Sequence, residues 1–177
     1  LMFASTSKVT FPGAGIAVIA ASDANMADIV AHTAVATIGH DKLNQLRHVR
    51  FFGNRRGLHE HMAKHADLLR PKFAAVNDAL EKSFADKGLA QWNAPKGGYF
   101  VTVDLPDGCA METIRLAAEA GLKLTPAGCC HPYGRDPQDR TLRLAPTYPT
   151  QREVEQAMDI FCVSAELVSV RKLLSEH

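Results

Sequence analysis

Apolar positions along the chain recur first at strand spacing and then at helix spacing, and this alternation predicts a mixed α/β fold. The run Ile16–Ala21 follows a turn that contains Pro12 and Gly13, which is typical of a strand. From Met26 to Ile38 the apolar residues lie about one helical turn apart. The whole pattern predicts strands at 3–8, 15–21, 99–105, 122–125 and 141–144, and helices at 23–38, 41–52, 58–84, 111–120 and from 151 onwards.

The longest helical stripe runs from Leu58 to Phe84, and Pro71 interrupts it. Because proline lacks an amide proton and clashes with the preceding turn, we expect a kink or a junction there. Residues 54–57 are expected to form a polar turn before this helix. Thr150 is predicted to cap the last helix, whose inward positions are expected to be Val154, Ala157, Met158, Phe161 and Leu167.

Composition is that of an ordinary globular domain. The 177 residues are 46% hydrophobic and 22% charged, with a formal net charge of +1. This charge gives no electrostatic reason to expect nucleic-acid or membrane binding, and no apolar run approaches a membrane span. The four cysteines form no C-x-x-C pair. They are expected to be reduced thiols of a cytoplasmic protein.

One short motif suggests chemistry. Ser5, Thr6 and Ser7 precede Lys8, and the Pro12–Gly13 turn follows it. Small neighbours leave room for a flat group beside the lysine. A partly desolvated lysine has a lowered pKa and becomes an amine nucleophile that forms a Schiff base with a carbonyl. Pyridoxal phosphate is the commonest carbonyl cofactor. Taken alone, the motif favours a solvated surface lysine, so the features further along the chain decide.

Two later segments accompany this motif in a fixed order. Residues 96–100 read Lys-Gly-Gly-Tyr-Phe, and residues 143–146 read Arg-Leu-Ala-Pro. Together the three segments resemble those of the fold-type-I pyridoxal-phosphate-dependent aminotransferases, and the resemblance covers nearly the whole chain. The wording of residues 44–52 and 124–128 is similar to a bacterial aspartate-aminotransferase-like group related to MocR regulators.

The resemblance implies pyridoxal 5′-phosphate as the cofactor and Lys8 as the catalytic residue that binds it and carries a proton. Ser5, Thr6 and Ser7 would lie near the cofactor phosphate, because hydroxyl and backbone N–H groups bind phosphate oxygens. The alternative for these three is an ordinary polar strand edge.

Arg143 would bind the α-carboxylate of the substrate, because a guanidinium offers a planar pair of donors that lysine lacks. Its alternative is an ion pair on the surface of a strand. The nearby Arg140 lacks the Leu-Ala-Pro context. The sequence also departs from many relatives, which place an arginine for the phosphate shortly after the Pro-Gly turn. Residues 14–16 are Ala-Gly-Ile here, so backbone amides or groups outside this chain are expected to bind the phosphate.

In the family the lysine lies well past the middle of the polypeptide, so the resemblance implies the C-terminal part of a longer enzyme. The expected fold is α/β: a remnant of the large-domain sheet, plus a small α/β domain with a three- to four-stranded sheet covered by helices. We expect residues 1–39 to be the remnant, 40–57 a connecting segment, and 58–177 the small domain with the interdomain helix. Residues 1–39 should expose apolar edges and be the least stable part.

The leading functional hypothesis is transfer of an amino group from an amino acid, aspartate being the first choice, to a 2-oxo acid. The resemblance implies a homodimer at full length, and the 177 residues alone are expected to be inactive. One alternative is the effector domain of a MocR-like transcription regulator that binds pyridoxal phosphate without turnover. An upstream helix-turn-helix would decide for it. An inactive remnant is the third possibility.

Two further clusters of polar residues each have two interpretations. His59, His61 and His65 invite a metal site, but their order is not H-E-x-x-H, so solvated histidines are preferred and no metal is predicted. A basic cluster between Arg47 and Arg56 is interpreted as a solvated face or a dimer contact, since no aromatic platform accompanies it.

Overall fold

The computed structural model describes residues 1–175. The chain divides into two compact units, Leu1–Ala66 and a second that begins at Asp67. Both units combine strands with helices, which agrees with the predicted α/β class. The finer division at residues 39 and 57 stays a prediction. None of the helices within residues 1–175 has an apolar stretch long enough to cross a bilayer.

The first unit opens with a hairpin of two short strands. Strands β1 (Met2–Ser5) and β2 (Ala17–Ala20) pair antiparallel. The predicted strand at 3–8 is therefore too long. After Ser5 the N–H of Val9 donates to the carbonyl of Thr6 at 2.9 Å, which turns the chain out of the strand.

Three helices follow: α1 (Asp23–Ala36), α2 (Lys42–Phe52) and the start of α3 (Arg55–Phe84). The α2 prediction is confirmed, and the Asp41 carboxylate caps the helix by accepting from its first turn. The polar turn predicted at 54–57 is wrong. The amide oxygen of Asn54 accepts from the N–H of Gly57 at 3.1 Å, so Asn54 starts α3 immediately.

Little of the first unit is buried. Every residue of both strands is exposed, and α1 has no buried residue. Exposed apolar side chains include Phe3 and Val35, and a cleft of about 640 Å³ is lined largely by apolar residues of β2 and α1. The expected exposure of apolar surface in residues 1–39 is therefore observed.

The second unit is built on a three-stranded antiparallel sheet in the order β3-β4-β5. Its strands are β3 (Gln91–Trp92), β4 (Val101–Asp104) and β5 (Thr141–Leu144). The later part of α3 contributes to the core, as do α4 (Ala110–Glu119) and α5 (Gln151–Ser175). The largest fully buried apolar side chains are Phe84, Phe161, Leu80, Leu105, Leu142, Val76, Val101 and Val103.

Local signals explain where these elements begin and end. Glu153 N–H donates to the Thr150 hydroxyl at 3.3 Å, and the Glu153 carboxylate accepts from Thr150 N–H at 2.7 Å. This reciprocal pair confirms the predicted cap of α5. Strand β5 has the predicted bounds. Strand β4 starts at Val101, two residues later than predicted, after Gly98 with its positive φ of 92°.

Two other expectations were wrong, and one strand was not predicted. Residues 122–125 are no strand, because none of them pairs with a strand of the sheet, although Leu122 and Leu124 do contact the core. Leu167 is 38% exposed instead of inward. The two-residue strand β3 was not predicted, since so short a segment carries no alternation. A short 3₁₀ turn, Pro132–Gly134, lies in the region after residue 125.

Candidate functional site

Lys8 lies in the turn that joins β1 to β2. Its side chain is exposed, which differs from the partial desolvation expected from its small neighbours. Across the base of the turn the N–H of Thr6 donates to the carbonyl of Ile16 at 2.8 Å. The backbone around Lys8 is thus closed by hydrogen bonds, and the residue itself is exposed.

The three hydroxyl residues before Lys8 are not equivalent. Ser5 and Ser7 are exposed, and their hydroxyls lie 3.0 Å apart. The Thr6 hydroxyl instead accepts from the N–H of Ile16 at 2.8 Å and lies 3.2 Å from Nε2 of His48. Internal partners therefore engage Thr6, whereas Ser5 and Ser7 face outwards.

Side chains from two helices hold the same turn. On α2, Nδ2 of Asn44 donates to the carbonyl of Ala14 at 2.8 Å, and Nε2 of His48 lies 2.8 Å from the Thr10 hydroxyl. On α3, Nε2 of His61 contacts the carbonyl of Val9 at 2.6 Å. Sequence reasoning missed Asn44 and His48. Their four-residue spacing was the available signal, because it places both on one face of α2.

Arg143 belongs to the second unit and lies on β5 between the buried Leu142 and Leu144. Its guanidinium carbon is 4.3 Å from the centre of the Phe100 ring, a cation–π contact. Its Nε is buried and has no hydrogen-bond partner among the described residues. Arg143 also lines a cavity of about 150 Å³ together with Leu122, Leu124 and Thr125. A buried donor without a partner beside a cavity is suited to an anionic ligand.

The loop before β5 is fixed by one carboxylate. Burial by itself would raise the pKa of Asp136, but N–H donation from Thr141, Arg140 and Gln138 outweighs it and lowers the pKa to about 2. The three N···O distances are 2.8, 2.8 and 3.0 Å. The Thr141 hydroxyl in turn donates to Asp104 of β4 at 2.7 Å. These bonds fix the residue at which β5 begins, and therefore the position of Arg143 in that strand.

The neighbouring histidines and the adjacent cysteines contact one another. Nε2 of His65 lies 3.1 Å from Nε2 of His61, and their rings meet edge to face. Within residues 1–175 no three His, Cys, Asp or Glu side chains are grouped to hold a metal ion. Cys129 and Cys130 carry free thiols with sulfurs 3.8 Å apart.

The family model described as "Aspartate amino-transferase" matches residues 1–177. This chain therefore belongs to the aspartate aminotransferase family.

Two similar proteins carry aminotransferase names. A Corynebacterium glutamicum aspartate aminotransferase is 44% identical over 157 residues, which cover 89% of this chain and 36% of that protein. A Mycolicibacterium smegmatis protein, named as a candidate aminotransferase, is 44% identical over 176 residues, or 99% of this chain and 41% of its own length. The chain thus spans about two fifths of the length of these relatives.

Solved aminotransferase structures are also similar to this chain. The crystal structure of an aspartate transaminase from Corynebacterium glutamicum superposes with a TM-score of 0.90 at 41% identity, covering 96% of this chain and 40% of that one. The α-aminoadipate aminotransferase of Thermus thermophilus, solved with N-(5′-phosphopyridoxyl)-L-leucine, has a TM-score of 0.72 at 23% identity. It covers 92% of this chain and 41% of the other, and shows the fold alone.

Proposed function

We propose that the full-length protein is a pyridoxal-phosphate-dependent aminotransferase that moves an amino group from an amino acid to a 2-oxo acid. The observation that carries the proposal is the Lys8 turn. Lys8 is exposed, follows small hydroxyl residues, and lies in a turn whose backbone is fixed by hydrogen bonds. A cofactor that binds through a carbonyl needs an amine presented in this way.

The residues of this chain fit that cofactor. Lys8 Nζ would hold it covalently and, once released, would move a proton to and from the substrate Cα. When bound, the cofactor supplies the electron sink that makes this Cα acidic. Ser5 and Ser7 would bind the phosphate with the amides of the turn, since their hydroxyls face outwards. Thr6 would support the turn, because internal partners already engage its hydroxyl.

Arg143 would bind the α-carboxylate of the amino acid. The partnerless Nε and the cavity beside it support this role, because a carboxylate would give the buried donor the partner that it lacks. The Phe100 ring under the guanidinium would keep its plane in one orientation, as bidentate binding requires.

Aspartate is the proposed donor, on the names of the relatives from Corynebacterium glutamicum. We also propose a cytoplasmic homodimer, which rests on the resemblance and on the apolar surface that the first unit exposes. Sedimentation of the full-length protein tests the dimer directly.

The central experiment compares two lysines. The full-length protein, with pyridoxal phosphate, is assayed with aspartate and a 2-oxo acid. Lys8→Ala is expected to abolish turnover and the absorbance of lysine-bound cofactor, whereas Lys64→Ala, at an exposed lysine of α3, should change neither. If Lys8→Ala retains the rate of Lys64→Ala, the role of Lys8 is wrong. Cofactor binding without turnover of any amino acid would favour the regulator.

A further inference from the structure

We propose that His48, acting through the hydroxyls of Thr6 and Thr10, is a positioning residue that sets where Lys8 presents its amine. The inference rests on the role proposed for Lys8. His48 lies on α2, and its ring contacts the hydroxyls of the two threonines that flank Lys8 at two residues on either side.

The contacts of His48 fix its tautomer. Nδ1 lies 2.9 Å from the carbonyl oxygen of Asn44, one turn earlier on α2. A carbonyl can only accept, so Nδ1 carries a proton and donates it. In the neutral ring Nε2 is then an acceptor, aimed at the Thr10 hydroxyl at 2.8 Å and the Thr6 hydroxyl at 3.2 Å. Nε2 has one lone pair, and the shorter distance favours donation from Thr10, whose hydroxyl is 3.1 Å from that of Thr6.

The threonines pass this constraint to the backbone of the turn. The carbonyl of Thr6 accepts from the N–H of Val9 at 2.9 Å and from the N–H of Thr10 at 3.0 Å. The Thr6 hydroxyl also accepts from Ile16 on the opposite limb. Lys8 lies inside this closed ring of bonds. A shift of either threonine would move the Cα of Lys8, and with it the reach of its amine.

Burial indicates that the arrangement is specific. Among residues 1–66, all of which the structure describes, His48 is the only buried one, at 4% exposure. Filling that place with an apolar side chain would bury apolar surface without the need for partners. The buried residue is instead polar and bonded to the lysine turn, and Phe11 of the same turn meets its ring edge to face at 5.3 Å.

Two pairs of variants of the full-length protein distinguish a positioning role of His48 from a role in packing alone. Thr10→Val removes the hydroxyl at nearly constant volume, and Thr10→Ser restores it. His48→Phe keeps a ring against Phe11, and His48→Gln restores a polar atom near the place of Nε2. Steady-state kinetics are measured with aspartate. Amide hydrogen exchange of residues 6–16 is measured on the cofactor-free protein.

Thr10→Val and His48→Phe are expected to lower kcat about tenfold to a hundredfold, with KM for aspartate within about twofold, because a misplacement of up to ~1 Å costs that much in rate. Exchange at residues 6–16 should rise in the same two variants, and Thr10→Ser and His48→Gln should recover most of both signals. A Thr10→Val variant with the kcat and exchange of the wild type overturns the positioning role. Activity in Lys8→Ala would instead overturn the function proposed for Lys8 itself.

Discussion

Along β5, Arg143 alternates with two buried leucines. Leu142 and Leu144 point into the core, so Arg143 points to the other face of β5, over Phe100. Lysine has a similar length and charge but no planar fork. At this position the difference between the two cations should therefore appear in ligand binding.

Arg143→Lys is expected to raise KM for the amino acid by about 10- to 150-fold, which corresponds to roughly 1.5–3 kcal/mol for a charged hydrogen bond. Cofactor affinity should be nearly unchanged. Steady-state kinetics and cofactor titration of the full-length protein measure both quantities. The matched control is Arg140→Lys, at the residue that precedes β5. Loss of cofactor at an unchanged KM would assign Arg143 to the phosphate.

The lowered pKa of Asp136 makes the free energy of unfolding depend on pH in the acid range. Its folded-state pKa of about 2 is below the unfolded value of 3.8, so its contribution is complete above about pH 4 and disappears as the pH falls towards 2. Asp136→Ala should lower the urea midpoint at pH 6 more than Asp136→Asn, which keeps one acceptor oxygen. The gap between wild type and Asp136→Ala should close by about pH 2. A gap that stays constant across this range would contradict the assignment.

Among the elements, α3 contributes residues both to the lysine turn and to the core of the second unit. Before Ala66 it carries His61, whose ring contacts the lysine turn, and after Asp67 it carries the core residues Val76, Leu80 and Phe84. Pro71 lies in the second part, before these core residues, yet the helix is continuous from Arg55 to Phe84. The kink or junction expected at Pro71 therefore did not end the element.

Leu80→Ala should cost about 2–5 kcal/mol of unfolding free energy, because Leu80 is fully buried and its removal leaves a cavity. The matched control is Leu68→Ala on the same helix, where the side chain is 69% exposed, and it should change stability by less than ~0.5 kcal/mol. Urea unfolding followed by circular dichroism measures both. Equal losses in the two variants would mean that α3 is not held by this core.

Sequence reasoning succeeded where a signal was local. The bounds of α2 followed from Asp41 and Gly53, and the start of α5 from Thr150. It failed where the outcome depended on partners distant in the chain. Residues 122–125 have the composition of a strand, but a strand exists only if another backbone pairs with it. In the same way, the motif identified Lys8 as a candidate site residue. The contacts of His48 depend on how α2 packs against the turn, which the sequence motif does not show.

At the scale of the whole molecule, the two units differ in how much they bury. His48 is the only buried residue of the first, whereas the second has a continuous apolar core. A unit that buries little opens more readily, so amide exchange should be faster throughout residues 1–66 than in β4, β5 and α5.

The 177 residues by themselves are expected to bind pyridoxal phosphate weakly and to show no transamination. Lys8 is exposed, and a Schiff base open to water hydrolyses unless other groups hold the cofactor in advance. Absorbance titration of the isolated chain, beside the full-length protein, tests this. Stoichiometric binding at micromolar cofactor, with slow exchange in residues 1–66, would show that the chain completes its own site.

The only tryptophan of the sequence, Trp92, lies in β3 and packs against the core of the second unit. Its indole fluorescence therefore follows the unfolding of that unit alone, whereas far-ultraviolet dichroism also follows α1 and α2. If the two signals melt together, the chain unfolds as one cooperative body; if they separate, the lysine turn belongs to a unit that opens while the sheet is still intact. The 177-residue chain thus carries, without any added label, a probe for whether its two units unfold independently.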